Sequence, residues 1–235
     1  MKNKQIINTE NIEEFYPIQI YTDSSLKNIN GISYVSYGYI IESSSLNLRV
    51  ENYFISEGTI SFGEMSAIFY SLLKIEELII KNIIPNYCNI ILFSDSEYCI
   101  KSLNEWIFGW YNNRNGNTYL KVDGNPIAHQ FLIDNIIRTI INNNIKVKMF
   151  HTYGHVHTFE KIKELKSKFH KAGLNTNTKL VKQISDYNSV VDCNSRLNFK
   201  NYNPNNIIKN LFEFKENFEY KDIKNYKKLV NKKIL

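Results

Sequence analysis

Three carboxylates in this sequence stand where a metal ion can be held: Asp23, Glu64 and Asp95. Asp23 follows the β-branched and aromatic run Ile18 to Thr22, and Asp95 follows the apolar run Ile90 to Phe93 and Ser94. If those runs are neighbouring strands, their ends share the sheet edge at which ligands bind. Glu64 opens a helical pattern that would pack on the sheet and can join the pair. Converging carboxylates cannot all stay charged without a cation between them. All-oxygen ligands select hard ions such as Mg²⁺ or Mn²⁺, and two such ions about 4 Å apart suit phosphodiester hydrolysis. Each residue also has an ordinary structural reading. Asp23 fits a Ser-rich turn, Asp95 a helix N-cap, and Glu64 the acid of a capping box, Ser61-Phe62-Gly63-Glu64. Only their joint placement is informative.

The elements that must position these groups are legible as patterns. Ile18 to Thr22 reads as a strand that runs into a polar turn at Asp23-Ser24-Ser25. Gly31 to Glu42 and Leu46 to Ser56, linked by Ser43-Ser44-Ser45, read as an antiparallel hairpin. Met65, Ile68, Phe69, Leu72, Leu73 and Leu78 recur at helical spacing over Phe62 to Ile80. Ile90 to Phe93 has the wholly apolar character of a buried parallel strand. Helices are predicted over Ser96 to Tyr111, His129 to Ile141, Phe159 to Lys171 and Leu180 to Arg196, with a strand over Ile145 to Thr152. A three-strand meander followed by βα units implies an α/β fold: a mixed five-stranded sheet, three antiparallel strands then parallel ones, flanked by helices.

The bulk numbers agree with a folded chain. Of 235 residues, 43% are hydrophobic and 14% aromatic, which excludes a disordered protein. The 29 basic against 23 acidic residues give +6, a mild bias toward an anionic partner, with nucleic acid first on that list. The three cysteines, Cys88, Cys99 and Cys193, show no Cys-x-x-Cys spacing, so neither a disulfide framework nor a zinc knuckle follows. No window approaches a transmembrane span, and the reading is of a soluble intracellular protein with no membrane partner.

The motifs, taken in order, resemble those of the type 1 ribonuclease H family. Tyr21-Thr22-Asp23-Ser24-Ser25 resembles its first-strand motif, and the stretch Thr59 to Ala67 around Glu64 its helix motif. Ser94-Asp95-Ser96-Glu97-Tyr98 resembles its fourth-strand motif, and Trp106 and Trp110 follow at the family's spacing. Val147 to His155 is similar to its fifth strand with the following Gly-His, and Asn188-Ser189-Val190-Val191-Asp192 to its Asn-x-x-x-Asp. The resemblance implies a ribonuclease H-like fold over 17–196, after a leader at 1–16. It further implies two Mg²⁺ ions, with Mn²⁺ as substitute, held by Asp23, Glu64, Asp95 and Asp192. Asp23 would bridge the ions, Asp192 would complete the site of the nucleophilic water, and Glu64 and Asp95 would hold the second ion. His155 would assist proton transfer or product release, with His157 a weaker neighbour and His151 packed or pointing outward. The implied substrate is an RNA–DNA hybrid, cut in its RNA strand to leave 5′-phosphate and 3′-hydroxyl ends by a monomeric enzyme. Asn28 or Asn30, Ser61 and Thr59 would discriminate the two strands. Thr59, Tyr98 and Trp106 would face the DNA strand, with Trp110 in the core.

Three departures shape what remains open. Ser24 stands where the family has Gly, which removes an easy tight turn. The segment after the tryptophans, Tyr111 to Asn117, lacks the family's basic protrusion and has only Lys121 nearby. His155 and Asp192 are far apart where the family keeps them close, so an insertion occupies about 158–184. On its helix Ile162, Leu165 and Phe169 fall on one face and the lysines largely on the other. This is either a solvated face or a replacement phosphate-binding element, with Lys163, Lys166 and Lys168 as its candidates. Asp186 competes with Asp192 as fourth ligand but lacks the Asn four residues earlier. The extension 197–235, a mixture of Lys and aromatics, can bind nucleic acid, pack on the core or meet a partner. A resolvase- or exonuclease-like nuclease of the same fold, and a non-catalytic nucleic-acid-binding module, are the alternatives.

Overall fold

A computed structural model describes residues 18–85, 89–154, 156, 158–202 and 220–231. Its five strands are β1 (Ile18–Ile29), β2 (Ile32–Ser43), β3 (Leu48–Glu57), β4 (Asn89–Ser94) and β5 (Lys146–His151). They form one sheet in the order β3-β2-β1-β4-β5, antiparallel among the first three and parallel from β1 to β4 to β5. The mixed α/β architecture expected from the sequence is therefore present.

β1 does not end at Asp23. It runs on to Ile29, because β2 pairs with it along its whole length, Gln19 opposite Glu42 to Ile29 opposite Ile32. The turn falls instead at Asn30 and Gly31, with φ of 54° and 83°. Two consecutive positive φ values are the signature of the hairpin turn that Asn-Gly favours. The Ser-rich stretch after Asp23 is thus strand, and Ser24 needs no tight turn.

Helix α1 (Ile60–Ile80) lies against β1 and β2, with Met65, Ile68, Phe69, Leu72 and Ile75 fully buried. Its N-cap is Thr59, whose hydroxyl accepts from Phe62 N, so the capping box Ser61–Glu64 does not form. Starting the helix two residues earlier releases the Glu64 carboxylate for the sheet. Gly63 allows the close approach: a Cβ there would stand 2.2 Å from Val35 Cγ2 and 3.0 Å from Ser24 Oγ.

After β4 come α2 (Glu97–Lys101), a π-helical turn (Ser102–Trp106) and α3 (Ile107–Asn112), where one continuous helix was expected. Ser96 caps α2 by accepting from Cys99 N, which leaves the Asp95 carboxylate out of the cap. Helix α4 (Gln130–Asn142) packs on α1, and α5 (Phe159–Lys171) on α6 (Thr178–Asn198). Helix α7 (Tyr220–Asn231) packs on α4 and β5. Ile223, Tyr226 and Val230 of α7 join the main core, and the Tyr226 hydroxyl donates to Leu103 O at 3.0 Å. That stretch of the extension is core packing, each such side chain contributing about 1.5–3 kcal/mol by burial.

The two sheet faces carry separate cores. Ile18, Ile20, Ile90, Leu92, Val147 and Met149 meet α1, α4 and α7 on one face. Tyr21, Ile91, Phe93 and Phe150 meet Leu165 and Phe169 of α5 and Val181, Ile184 and Val191 of α6 on the other.

Candidate active site

The last parallel pair of β1 and β4 is Thr22 with Ser94. One step further along both strands stand Asp23 and Asp95. Neighbouring strands lie about 4.8 Å apart, so this register alone sets two carboxylates side by side at the point where β4 leaves the ladder. Glu64 arrives from α1. Its Oε1 accepts from Ser24 Oγ at 2.7 Å and from Ser24 N at 3.1 Å, while Ser24 N also meets Asp23 Oδ1 at 2.6 Å. Oxygens of Asp23, Glu64 and Asp95 all lie within 4.8 Å of one another. Asp23 and Glu64 are buried and Asp95 is half-buried. Gly154 follows β5 so closely that a Cβ there would stand 3.0 Å from Asp95 Oδ2.

Helix α6 supplies the rest. Asn188 Nδ2 donates to Asp23 Oδ2 at 3.4 Å, and Asp192 follows one helical turn later on the same face. The charge of Asp192 acts on both Asp23 and Glu64, and its carboxylate also pairs with Arg196. Asp186 is exposed and lines a separate cavity of about 500 Å³ with Arg49, Lys179, Lys182 and Tyr187. Of the two acids open for the fourth position, Asp192 is the one whose charge acts on the cluster.

The electrostatics mark a site short of positive charge. Burial, then Glu64, Asp95 and Asp192, push the Asp23 carboxyl up to about 10, against the pull of the Ser24 N–H. Burial and the charge of Asp95 likewise hold Glu64 well above the carboxylate range. Glu64 Oε2 is buried with no hydrogen-bond partner among the described residues. An orphaned carboxylate oxygen inside an all-oxygen donor set fits a hard divalent cation, which would satisfy the lone pairs and relieve the repulsion together.

Around this centre the other sequence candidates fall into groups. Thr59 Oγ1 and Ser61 Oγ are 3.2 Å apart, and Ser61 Oγ lies 3.1 Å from His129 Nε2. Tyr98 bonds Ala128 O and meets the edge of Trp106, which is 38% exposed, while the half-buried Trp110 packs on the core and against Trp106. Asn28 and Asn30 sit at the β1–β2 hairpin tip, Asn28 Oδ1 accepting from Gly31 N. Asn30 is seven residues beyond Asp23 on an extended chain, on the order of 23 Å away. Lys163 and Lys166 are exposed on α5, whereas Lys168 is half-buried and bonded to His151 Nδ1. His155 and His157 lie outside the described residues, as does the leader 1–16.

Three contributors escaped the sequence reading. Ser24 orients Glu64, a role visible only once β1 is seen to continue. His129 holds φ 59° ahead of α4 and joins the Thr59–Ser61 pair, with burial lowering its pKa. His151 donates from Nε2 to the Asp95 carbonyl at 3.0 Å. For none of them does a local motif exist that marks the contact.

A family model described as RNase H matches residues 16–165, which stops short of α6. Ribonuclease H of Tropheryma whipplei, strain Twist, is 33% identical over 67 residues, 28% of this chain and 39% of that relative; strain TW08/27 matches to the same extent. The aligned stretch thus spans well under half of those relatives. Among solved structures, a foamy viral protease-reverse transcriptase in complex with dsDNA is 18% identical, covering 74% of this chain and 94% of that chain at a TM-score of 0.47. LC11-RNase H1 in complex with RNA/DNA hybrid is 16% identical, covering 57% and 84% at a TM-score of 0.36.

Proposed function

The chain belongs to the ribonuclease H family, and from that premise we propose that it is a metal-dependent endonuclease that hydrolyses the RNA strand of RNA–DNA hybrids, leaving 5′-phosphate and 3′-hydroxyl ends. The observation that carries the proposal is the convergence of Asp23 in β1, Asp95 just past β4 and Glu64 in α1, with the charge of Asp192 acting on Asp23 and Glu64. These four carboxylates would hold two Mg²⁺ ions, or Mn²⁺ in their place. When bound, the ions supply a water acidified toward neutral pH and charge stabilisation for the departing 3′ oxygen.

The chain's own residues do the positioning. Ser24 fixes Glu64 through its hydroxyl and its N–H, and Asn188 ties Asp23 to α6. Burial of the cluster strengthens each of these contacts, since charge is poorly screened there. His155, beside Gly154, assists proton transfer or product release. Thr59, Ser61, Tyr98 and Trp106 form a polar and aromatic surface suited to the DNA strand, where ring faces pack on sugar and base. Asn28 and Asn30, at the hairpin tip, are placed for a more distant contact on the same substrate. Lys163 and Lys166, exposed on α5, would meet phosphates in place of the missing basic protrusion. No helix among the described residues is long and apolar enough to cross a membrane.

The test is incubation with Mg²⁺ and end-labelled RNA–DNA hybrid, double-stranded RNA and double-stranded DNA in parallel. Cleavage confined to the RNA of the hybrid, abolished by EDTA, is the expected result. Comparable cutting of double-stranded DNA would instead indicate a resolvase- or exonuclease-like enzyme of the same fold. Hybrid binding without cleavage at any Mg²⁺ or Mn²⁺ concentration would indicate a binding module.

A further inference from the structure

β4 and β5 part at Ser94 and His151, the last pair of their ladder. Asp95 is the first residue beyond it. The His151 ring reaches its carbonyl: Nε2 lies 3.0 Å from Asp95 O. A carbonyl only accepts, so Nε2 carries the proton and Nδ1 is left with a lone pair. The ammonium of Lys168, which only donates, is bonded to that Nδ1. The chain from Lys168 through His151 to Asp95 thus has one consistent donor direction. Lys168 is itself fixed 4.3 Å over the Tyr153 ring, and the Tyr153 hydroxyl donates at 2.9 Å to Glu164, one turn before Lys168 on α5.

We infer that Lys168 and His151 are positioning residues for the Asp95 carboxylate, so that the inserted helix α5 braces the metal site from behind. The inference rests on the reading that Asp95 is a metal ligand. The docking of α5 does not need this polar chain, because Leu165 and Phe169 already anchor the helix in a fully buried cluster with Phe93 and Phe150. The polar chain instead ends on the one peptide whose movement would swing a ligand. A Cβ at Gly154 would stand 3.0 Å from Asp95 Oδ2, so the chain after β5 also passes close to that carboxylate. Partners of this kind, one bond removed from a ligand, change metal affinity about 10–100-fold when removed. With the His151 nitrogen and the Tyr153 ring against it, the Lys168 ammonium is engaged here rather than presented to a phosphate, unlike the exposed Lys163 and Lys166.

The test measures Mg²⁺ binding to the substrate-free protein by calorimetry, beside kcat and KM across Mg²⁺ concentrations and the melting temperature of each variant. Lys168→Met and His151→Phe should weaken Mg²⁺ binding about 10–100-fold. Their cleavage should recover at raised Mg²⁺, and the KM for hybrid at saturating Mg²⁺ should stay unchanged. His151→Gln, whose amide can donate to Asp95 and accept from Lys168, should stay near wild type. Wild-type Mg²⁺ affinity in folded Lys168→Met, or equal losses in His151→Gln and His151→Phe, overturns the inference. So does a raised KM with an unaltered Mg²⁺ requirement, which would return Lys168 to phosphate binding. If Lys168→Met does not fold, the two His151 variants decide. A wild-type protein that neither binds Mg²⁺ nor cleaves hybrid removes the nuclease reading itself, an outcome distinct from a failure of positioning alone.

Discussion

Asn188 donates to the carboxylate of Asp23 at 3.4 Å across 165 residues of chain. The bond joins α6 to the middle of β1, and it does so one turn before Asp192. A helix holds residues four apart on one face, so fixing Asn188 fixes the height at which Asp192 enters the site. The insertion that separates Asp192 from β5 in the chain is thereby bridged in space.

Asn188→Ala should lower stability by about 1 kcal/mol, the usual worth of such a bond, or a melting shift of roughly 2–4 °C. It should also raise the Mg²⁺ concentration needed for half-maximal cleavage. Thermal melts and Mg²⁺ titrations of cleavage check both. An unaltered Mg²⁺ requirement would mean that other contacts set the position of Asp192.

The folded chain holds the Asp23 proton up to about 10, by burial first and then by its acidic neighbours. The unfolded chain releases it near pH 4, so above that pH the unfolded state binds fewer protons. Stability of the metal-free protein should therefore fall as pH rises toward 10. Asp23→Asn should flatten that slope and raise the melting temperature near pH 8 by a few degrees, while abolishing cleavage. Added Mg²⁺ should stabilise the wild type more at pH 8 than at pH 6, because its ligands must be deprotonated. Melting curves in EDTA and in Mg²⁺ across pH provide the check. Equal pH slopes in wild type and mutant would contradict the clustering.

Changing Lys163 and Lys166 together to Gln should raise KM for hybrid and flatten its dependence on salt, with kcat nearly unchanged. A phosphate no longer neutralised by a lysine keeps its counterion, so the slope of log affinity against log salt should fall by about 0.9 per lysine. Kinetics across roughly 50–200 mM salt measure it. Identical slopes would leave these lysines as a solvated face.

Gly63→Ala places a methyl 2.2 Å from Val35 Cγ2. Overpacking of this kind costs about 1–3 kcal/mol. It should also push α1 off β1, opening the Ser24–Glu64 contact and reducing cleavage. Val35→Ala in the same protein removes the clashing methyl and should recover part of both losses, measured by melts and turnover of the four variants of the cycle. A double mutant no better than Gly63→Ala would place the fault elsewhere.

What the sequence alone determined was local. The helix Phe159–Lys171 falls on its predicted residues, since a 3.6-residue period and a Thr158 cap lie within the segment itself. The succession of strands and helices along the chain and the hairpin of β2 and β3 were equally legible, because motif and periodicity need no distant partner; the adjacency of β1 and β4, and the choice between Asp186 and Asp192, were left open. The tertiary structure decided everything set by register. β1 outruns Asp23 because β2 pairs with it, and Asp23 meets Asp95 because Thr22 pairs with Ser94. α1 starts at Ile60, and Glu64 turns to Ser24 because Gly63 lets the helix sit on the sheet. His151 reaches the Asp95 carbonyl because β4 and β5 end together. A side chain's neighbours across a sheet depend on pairing that a shift of one residue would reverse, and that pairing is a property of the whole packed core rather than of any segment in it.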